Sequence, residues 1–399
     1  MAVLSISSEA GLSPTLVYVA KGTRVYVSGL LSILTPFYLS LLGYDLFFQG
    51  LALVAILAGS AVSNLALTYY ESRFGKRRIL QLFSLLMFAS GAILALYSSP
   101  GGILVACLIG NISTTGTEAG PFQSVEAGIL PDLVPPGAVV RTFGRYNLVG
   151  YAAAAGGVLT SSLPGLFGDS TDVFRGLFVG FAAVGLLLFL IYSKLGSAQP
   201  GQGGTPGLSS LGPRARKDVV RLSGLFSLDA FGGVFVSQYL LSTWFRVVYA
   251  LPLTALAPIF FVASLIAAAS TYGAALIAER IGNLRAMVYT HLVSSVFLLL
   301  IAAGGSLVAS LAFLFLRQSF SQMDVPTRQA LMAEMFERPE RVSAYAITNT
   351  FRSAGAFAGG PVAASLLGAG VVSGLIFAGG STKIGYDLLI FAAYRKRYR

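Results

Sequence analysis

The stretch ESRFGKRR occupies residues 71–78, and a related stretch, AERIGNLR, occupies residues 278–285. Each follows an apolar run and sets a glycine between an acid-and-arginine step and further basic residues, and Gly75 and Gly282 lie 207 residues apart. A second echo has nearly the same spacing. EAGPFQSVEA at 118–127 returns as MDVPTRQALM at 323–332, with Pro121 and Pro326 separated by 205 residues. Two echoes at nearly one offset mark an internal duplication, in which two halves share one helical plan.

Composition says where those halves sit. Of the 399 residues, 55% are hydrophobic and 11% are charged, against about 25% charged in an ordinary soluble protein. So few charges cannot shield so much apolar surface from water, and lipid must be the solvent for most of the chain. A single cysteine, Cys107, excludes an internal disulfide, and one histidine, His291, removes most metal-site and catalytic-triad chemistry. No basic segment opens the chain and Glu9 precedes the first apolar run, so that run is expected to be retained as a span.

A transmembrane helix takes about 20 mostly apolar residues. Runs of that kind fall near 18–42, 46–70, 79–99, 102–129, 142–164 and 174–193, then near 222–246, 252–277, 285–304, 306–333, 342–367 and 370–392. The expected fold is therefore an all-α integral membrane protein of twelve transmembrane helices in two pseudo-symmetric six-helix bundles. The least regular run is the twelfth, interrupted by GGSTKIGYDLL. Residues 1–194 make the N-terminal bundle, 195–217 a Gly-, Pro- and Ser-rich cytoplasmic linker, and 218–399 the C-terminal bundle.

Basic residues give the orientation, because Lys and Arg are retained on the cytoplasmic side. Lys21, Arg24, the set Arg73 to Arg78, Arg141, Arg145, Lys194, the linker basics, Arg280, Arg285, Arg338, Arg341 and the C-terminal cluster all fall on the termini and the even-numbered connections. Both termini are thus expected in the cytoplasm, with the chain multi-pass in the cytoplasmic membrane. The net charge of +11 is then a matter of topology and not a nucleic-acid surface.

Six plus six spans, a central linker, and an acid-Arg-x-Gly-x-x-Arg loop after spans 2 and 8 resemble the major facilitator superfamily of secondary transporters. The second loop follows the family pattern through Glu279, Arg280, Gly282 and Arg285. The first keeps Arg73, Gly75, Lys76, Arg77 and Arg78 but has Thr68 at the family glycine and Ser72 at the family aspartate, with Glu71 one place early. The segments SLDAFGG at 227, YTHLVSS at 289, SQMDVPTRQ at 321 and STKIGYDLL at 381 are also similar to a bacterial and archaeal branch of that superfamily. That narrower likeness supplies no substrate. In the loops, glycine permits the tight connection, and the arginines are suited to bond a neighbouring carboxylate and helix C-terminal carbonyls, so these residues are read as cytoplasmic gates.

A charge at mid-bilayer costs from about 3 to more than 10 kcal/mol and survives only when paired or facing water inside the bundle. By depth, Glu118, Arg317 and Arg352 fall near the midplane, and Asp229, Asp324, Arg328, Lys383 and Asp387 lie between it and the cytoplasmic side. The resemblance implies that spans 1, 4, 7 and 10 line the central cavity, which places Glu118, Asp229, Asp324 and Arg328 along the path of a substrate. Asp324 and Arg328 are four apart and share a helical face. Glu118 has no opposite charge within a turn and is suited to exchange a proton. Lys383 and Asp387, also four apart, are read as neutralising each other, and His291 as a neutral, hydrogen-bonded packing residue. The small-residue runs YAAAAGG at 151–157 and AGAFAGGP at 354–361 permit close helix contact in lipid. A Gly-Gly-Pro at 359–361 lies in span 11, where the family's antiport signature does not.

The reading is a secondary transporter that moves a small solute by alternating access. No G-x-x-x-x-G-K-[ST] segment is present, which argues against ATP and for ion coupling, with a proton favoured because carboxylates lie in the cavity helices. Arg328 and Arg352 favour a polar or anionic substrate, and export is preferred to import. No cofactor, metal or nucleic acid is expected. The alternatives are a non-transporting receptor or scaffold on the same fold, and, more remotely, a membrane-embedded enzyme using Glu118 and Asp324.

Overall fold

A computed structural model describes residues 13–117, 120–135, 139–168, 170–195 and 211–397. They are helical almost throughout and fall into two compact units, one drawn from 1–204 with 251–261, the other from 205–250 with 262–399.

The first unit begins with α1 (Pro14–Leu41), started by Ser13, whose hydroxyl accepts from the Leu16 amide ahead of a proline at the first helical position. The long α2 (Leu46–Leu96), capped by Asp45, is two arms in one element, because Gly75 at φ 78, ψ 154 turns the backbone out of helix. Then come α3 (Pro100–Ile109), α4 (Pro121–Ile129), a 3-10 turn (Leu130–Leu133), α5 (Val139–Thr160), the short α6 (Leu163–Leu166) and α7 (Thr171–Ser193). The second unit has α8 (Pro213–Val234), α9 (Gln238–Tyr249), α10 (Leu253–Ile281), whose first residues belong to the first unit, α11 (Asn283–Ala303), α12 (Leu307–Ser321), α13 (Asp324–Met335), α14 (Arg338–Gly368) and α15 (Val372–Tyr394).

Each of the twelve expected spans is occupied by helix, but spans 4, 5, 10 and 11 differ from a plain apolar rod, and span 7 passes from α8 to α9 across residues 235–237. Eight stretches, those of spans 1, 2, 3, 6, 7, 8, 9 and 12, are long and apolar enough to cross a bilayer by themselves. Span 4 is broken: α3 ends at Ile109 and α4 begins at Pro121, with Asn111 at φ 50 and Gly116 at φ 73. Span 10 is broken at the equivalent place, between α12 and α13. Spans 5 and 11 are continuous but carry more polar residues. Span 12, expected to be irregular, is unbroken. The linker also ends early, since α8 starts at Pro213; residues 196–210 of it lie outside the described residues.

Lipid tails are as apolar as leucine, so helices in a membrane are held by close packing and polar bonds more than by apolar burial. The small-residue runs serve that purpose. α5 lies on α1 and α14 on α8. A Cβ on Gly157 would fall 1.8 Å from the Tyr26 carbonyl oxygen, and one on Gly355 would fall 2.3 Å from that of Ser227. In the second unit a cluster including Leu222, Phe226, Met287, Leu331, Ala344 and Tyr386 joins α8, α11, α13, α14 and α15, and the charged side chains of that unit's site project from those same helices.

Candidate functional site

The first unit buries one charge cluster. Arg24 of α1 faces Glu126 of α4 in a two-pronged pair, Nη1 to Oε1 at 3.0 Å and Nη2 to Oε2 at 2.6 Å, with 2% and 1% of the side chains exposed. Tyr192 of α7 donates to Oε1 at 2.6 Å and Tyr146 of α5 donates to Oε2 at 2.8 Å. Arg24 also donates to the Tyr192 hydroxyl and stacks over Phe122, while Lys21 lies over the Tyr146 ring. Every carboxylate oxygen therefore has two donors, and four helices are tied together. This corrects the charge count above: Lys21 and Arg24 are buried inside the unit and do not mark the cytoplasmic end.

The second unit holds a larger cluster centred on buried Asp229 of α8. Lys383 of α15 donates to its Oδ1 at 2.7 Å. On the other oxygen, Arg328 of α13 approaches Oδ2 to 3.5 Å and Arg352 of α14 to 4.0 Å. Arg328 Nη1 is also 3.1 Å from Asp324 Oδ2 one turn away, yet at angles that leave it with no hydrogen bond among the described residues. Asp324 begins α13, where the helix dipole favours a carboxylate. His291 of α11 completes the set, with Nδ1 2.8 Å from Asp387 Oδ1, and Nε2 3.3 Å from Lys383 Nζ and 3.6 Å from Asp229 Oδ1. Phe226 lies beneath the Arg328 guanidinium and Tyr386 meets the imidazole edge-on.

The structure thus brings together four of the candidates, Asp229, Asp324, Arg328 and Arg352. Glu118 lies outside the described residues. Arg317 is apart from the cluster and is bonded to Gln318. One expected pairing is wrong: Lys383 reaches across to Asp229 instead of Asp387, and Asp387 pairs with His291, because the α8 and α11 partners approach closer than the next turn of α15. His291 is hydrogen-bonded as expected, but to two charged groups. Arg24 and Glu126 went unassigned, although the duplication offset carried the signal. Arg24 stands 205 residues before Asp229, the same spacing as Pro121 and Pro326.

At the loops, Gly75 (φ 78, ψ 154) and Gly282 (φ 82, ψ 157) share one backbone conformation that essentially only glycine adopts. Glu279, Arg280 and Arg285 are exposed and Arg77 is half-buried, while the Arg73 side chain lies outside the description. Nearby, Arg341 donates to the Phe336 and Ala333 carbonyls at 3.0 and 2.6 Å and closes the C-terminus of α13. Asn283 donates to Glu334.

Two helical units related by duplication, each with charges buried in membrane-crossing helices, define a solute-transporter class. Residues 17–360 match the sequence model of the Major Facilitator Superfamily, and the chain belongs to that family. It is 24% identical over 338 residues, 75% of each chain, to an uncharacterized membrane protein of Saccharomyces cerevisiae. Among solved structures, it resembles a D-xylose-proton symporter (TM-score 0.75, 15% identity, 94% of this chain and 96% of that one). It also resembles the nucleoside transporter NupG (TM-score 0.74, 12% identity, 95% and 99%). At such identities these likenesses establish the fold of a multi-pass secondary transporter and leave the substrate open.

Proposed function

We propose that this protein moves a small polar or anionic solute across the cytoplasmic membrane by alternating access driven by the proton gradient, with both termini in the cytoplasm. The observation that carries this reading is the cluster around Asp229, in which three carboxylates, three cations and an imidazole lie within membrane-crossing helices. Apolar side chains of similar volume would usually stabilise such helices better than buried ion pairs, so a cluster of this size is hard to explain as scaffold alone. Arg352, the most exposed cation of the set, and Arg328, with Nη1 unbonded, are the groups to receive an anionic substrate. Asp229 and Asp324 hold those arginines in its absence. Glu118 supplies a second carboxylate in span 4, the counterpart of span 10. Arg73, Gly75 and Arg77, with Glu279, Arg280, Gly282 and Arg285, gate the cytoplasmic ends.

The test begins with a thermal-shift screen of purified protein against anionic metabolites, since a ligand of the folded state raises its apparent stability. Flux of each hit is then measured in proteoliposomes with and without a pH gradient. Gradient-driven flux that a protonophore abolishes, and that Asp229→Asn loses, is the expected result. Wild-type flux indifferent to collapse of the gradient would refute proton coupling.

A further inference from the structure

The position of Lys383 determines how protons are distributed around His291. An ammonium has three donors and no acceptor. Its Nζ is 3.3 Å from His291 Nε2 and 2.7 Å from Asp229 Oδ1, so Nε2 presents a lone pair and the ring hydrogen sits on Nδ1. Nδ1 in turn is 2.8 Å from Asp387 Oδ1, which accepts that hydrogen as a carboxylate. The 3.6 Å between Nε2 and Asp229 Oδ1 then separates two acceptors, beyond hydrogen-bond length, that share one ammonium between them. A protonated Asp387 with the opposite ring tautomer would set an N–H of the imidazole against the ammonium, donor to donor.

We propose that His291 is a proton-binding site, and that a proton on its Nε2 and the ammonium of Lys383 are mutually exclusive partners of Asp229. The proposal rests on the proton-coupled reading above and gives that coupling a place. An O–H bond of hydronium breaks as its proton bonds to the Nε2 lone pair, leaving water, and no other covalent bond changes. The imidazolium and the ammonium are then two donors 3.3 Å apart, and both aim at one oxygen. Lys383, on its flexible stem, gives up its bonds to Nε2 and to Oδ1. The imidazolium, still held by Asp387, closes the remaining few tenths of an ångström to Asp229.

The charges around this exchange are Asp229 on α8, Asp324 and Arg328 on α13, Arg352 on α14, and Lys383 and Asp387 on α15 with the Tyr386 hydroxyl. α12, also packed on α11, contributes Arg317, which is bonded to Gln318. Three carboxylates balance Lys383, Arg328 and Arg352 while His291 is neutral. Protonation leaves one positive charge in excess, and an anionic group arriving at Arg352 and Arg328 cancels it, so proton and substrate favour each other's binding.

His291 is the single histidine, so tag-free protein labelled with 15N-histidine in detergent gives one imidazole spectrum. The expected wild-type spectrum is the Nδ1–H tautomer at high pH, converting to imidazolium as pH falls. In Lys383→Met the competing cation is gone, and the imidazolium should persist to a pH higher by about one unit. Lys383→Gln, which keeps a donor without the charge, should move the same way and serves if the methionine variant fails to fold. A neutral ring with its hydrogen on Nε2, or the same conversion midpoint in wild type and in the folded Lys383 variants, would overturn the proposal. The spectra need no transport. Expected spectra with no gradient-driven flux would sink the coupling reading and leave the His291 site standing, whereas gradient-driven flux with the opposite tautomer would do the reverse.

Discussion

The Arg24 and Glu126 pair permits a quantitative test of which buried charges hold the fold. The Glu126 carboxylate has four donors: Arg24 Nη1 and Nη2 at 3.0 and 2.6 Å, Tyr192 at 2.6 Å and Tyr146 at 2.8 Å. Arg24→Met removes two of them and leaves a buried anion with two neutral donors. At about 1.5–3 kcal/mol for each hydrogen bond to a charged group, the loss is about 3–6 kcal/mol, in line with the 3–5 kcal/mol typical of stranding one member of a buried pair. The stacking of Arg24 on Phe122 adds on the order of 1 kcal/mol. Glu126→Leu strands the guanidinium in the same way, with Tyr192 and the Ala20 carbonyl as acceptors. The double variant carries no stranded charge and should regain at least about 2 kcal/mol of the summed losses, the coupling a double-mutant cycle isolates. Unfolding of the four proteins in detergent is the assay, with solute flux measured on the same samples. Single variants within about 1 kcal/mol of wild type, or additive losses in the double, would refute the reasoning. A stable double variant without transport would move this pair out of the scaffold and into the transport machinery.

Arg328→Gln alone should fold but lose gradient-driven flux, and Asp324→Asn with Arg328→Gln should recover stability without recovering flux. Near-normal flux in that double variant would show that the two residues only neutralise each other. Gly75→Ala and Gly282→Ala should each lower stability by about 1–3 kcal/mol; an added Cβ meets nothing within 4 Å at either site, so the whole cost is the backbone conformation, and unchanged melting would mean that the turn relaxes. In a Cys107→Ser background, a cysteine at Ser209 should label from the cytoplasm and one at Ser170 from outside, and labelling of both from one side would contradict the twelve-span topology.

Helix existence was legible because membrane spans need long apolar runs, and the turn at Gly75 and Gly282 was legible because a repeated glycine implies a repeated backbone shape. The breaks in spans 4 and 10 were less so. Hydropathy scores a window of residues, and Asn111 to Gly120, with one charge at Glu118 among mostly small and weakly polar side chains, passes as helix. Local spacing also misled. Lys383 and Asp387 satisfy the i, i+4 rule on one helix, but that rule describes an isolated helix, and in a packed unit the partner on the neighbouring helix takes precedence. Arg24 was read as a topological marker because charge counting along a chain does not say whether a side chain points inward. The four-donor shell of Glu126, drawn from three other helices, has no signature in any one segment.

Arg24 and Asp229 occupy equivalent places 205 residues apart, yet the charge is inverted. Each faces a charge of opposite sign on the span 4 or span 10 helix, Glu126 in one unit and Arg328 in the other. The duplication preserved the crossing of helices and exchanged the sign of the buried group. What followed differs in how completely each cluster is satisfied. Glu126 has two donors on each oxygen, so any rearrangement breaks a good bond without making a better one. In the second unit Arg328 Nη1 and Asp387 Oδ2 are buried with no hydrogen bond among the described residues, and Asp229 has Lys383 and the His291 ring near Oδ1 and the two arginines, Arg328 and Arg352, near Oδ2. A polar group left unpaired in a low dielectric is costly, so under the proposal above a proton or an anion that supplies the missing partner shifts this cluster by its differential binding.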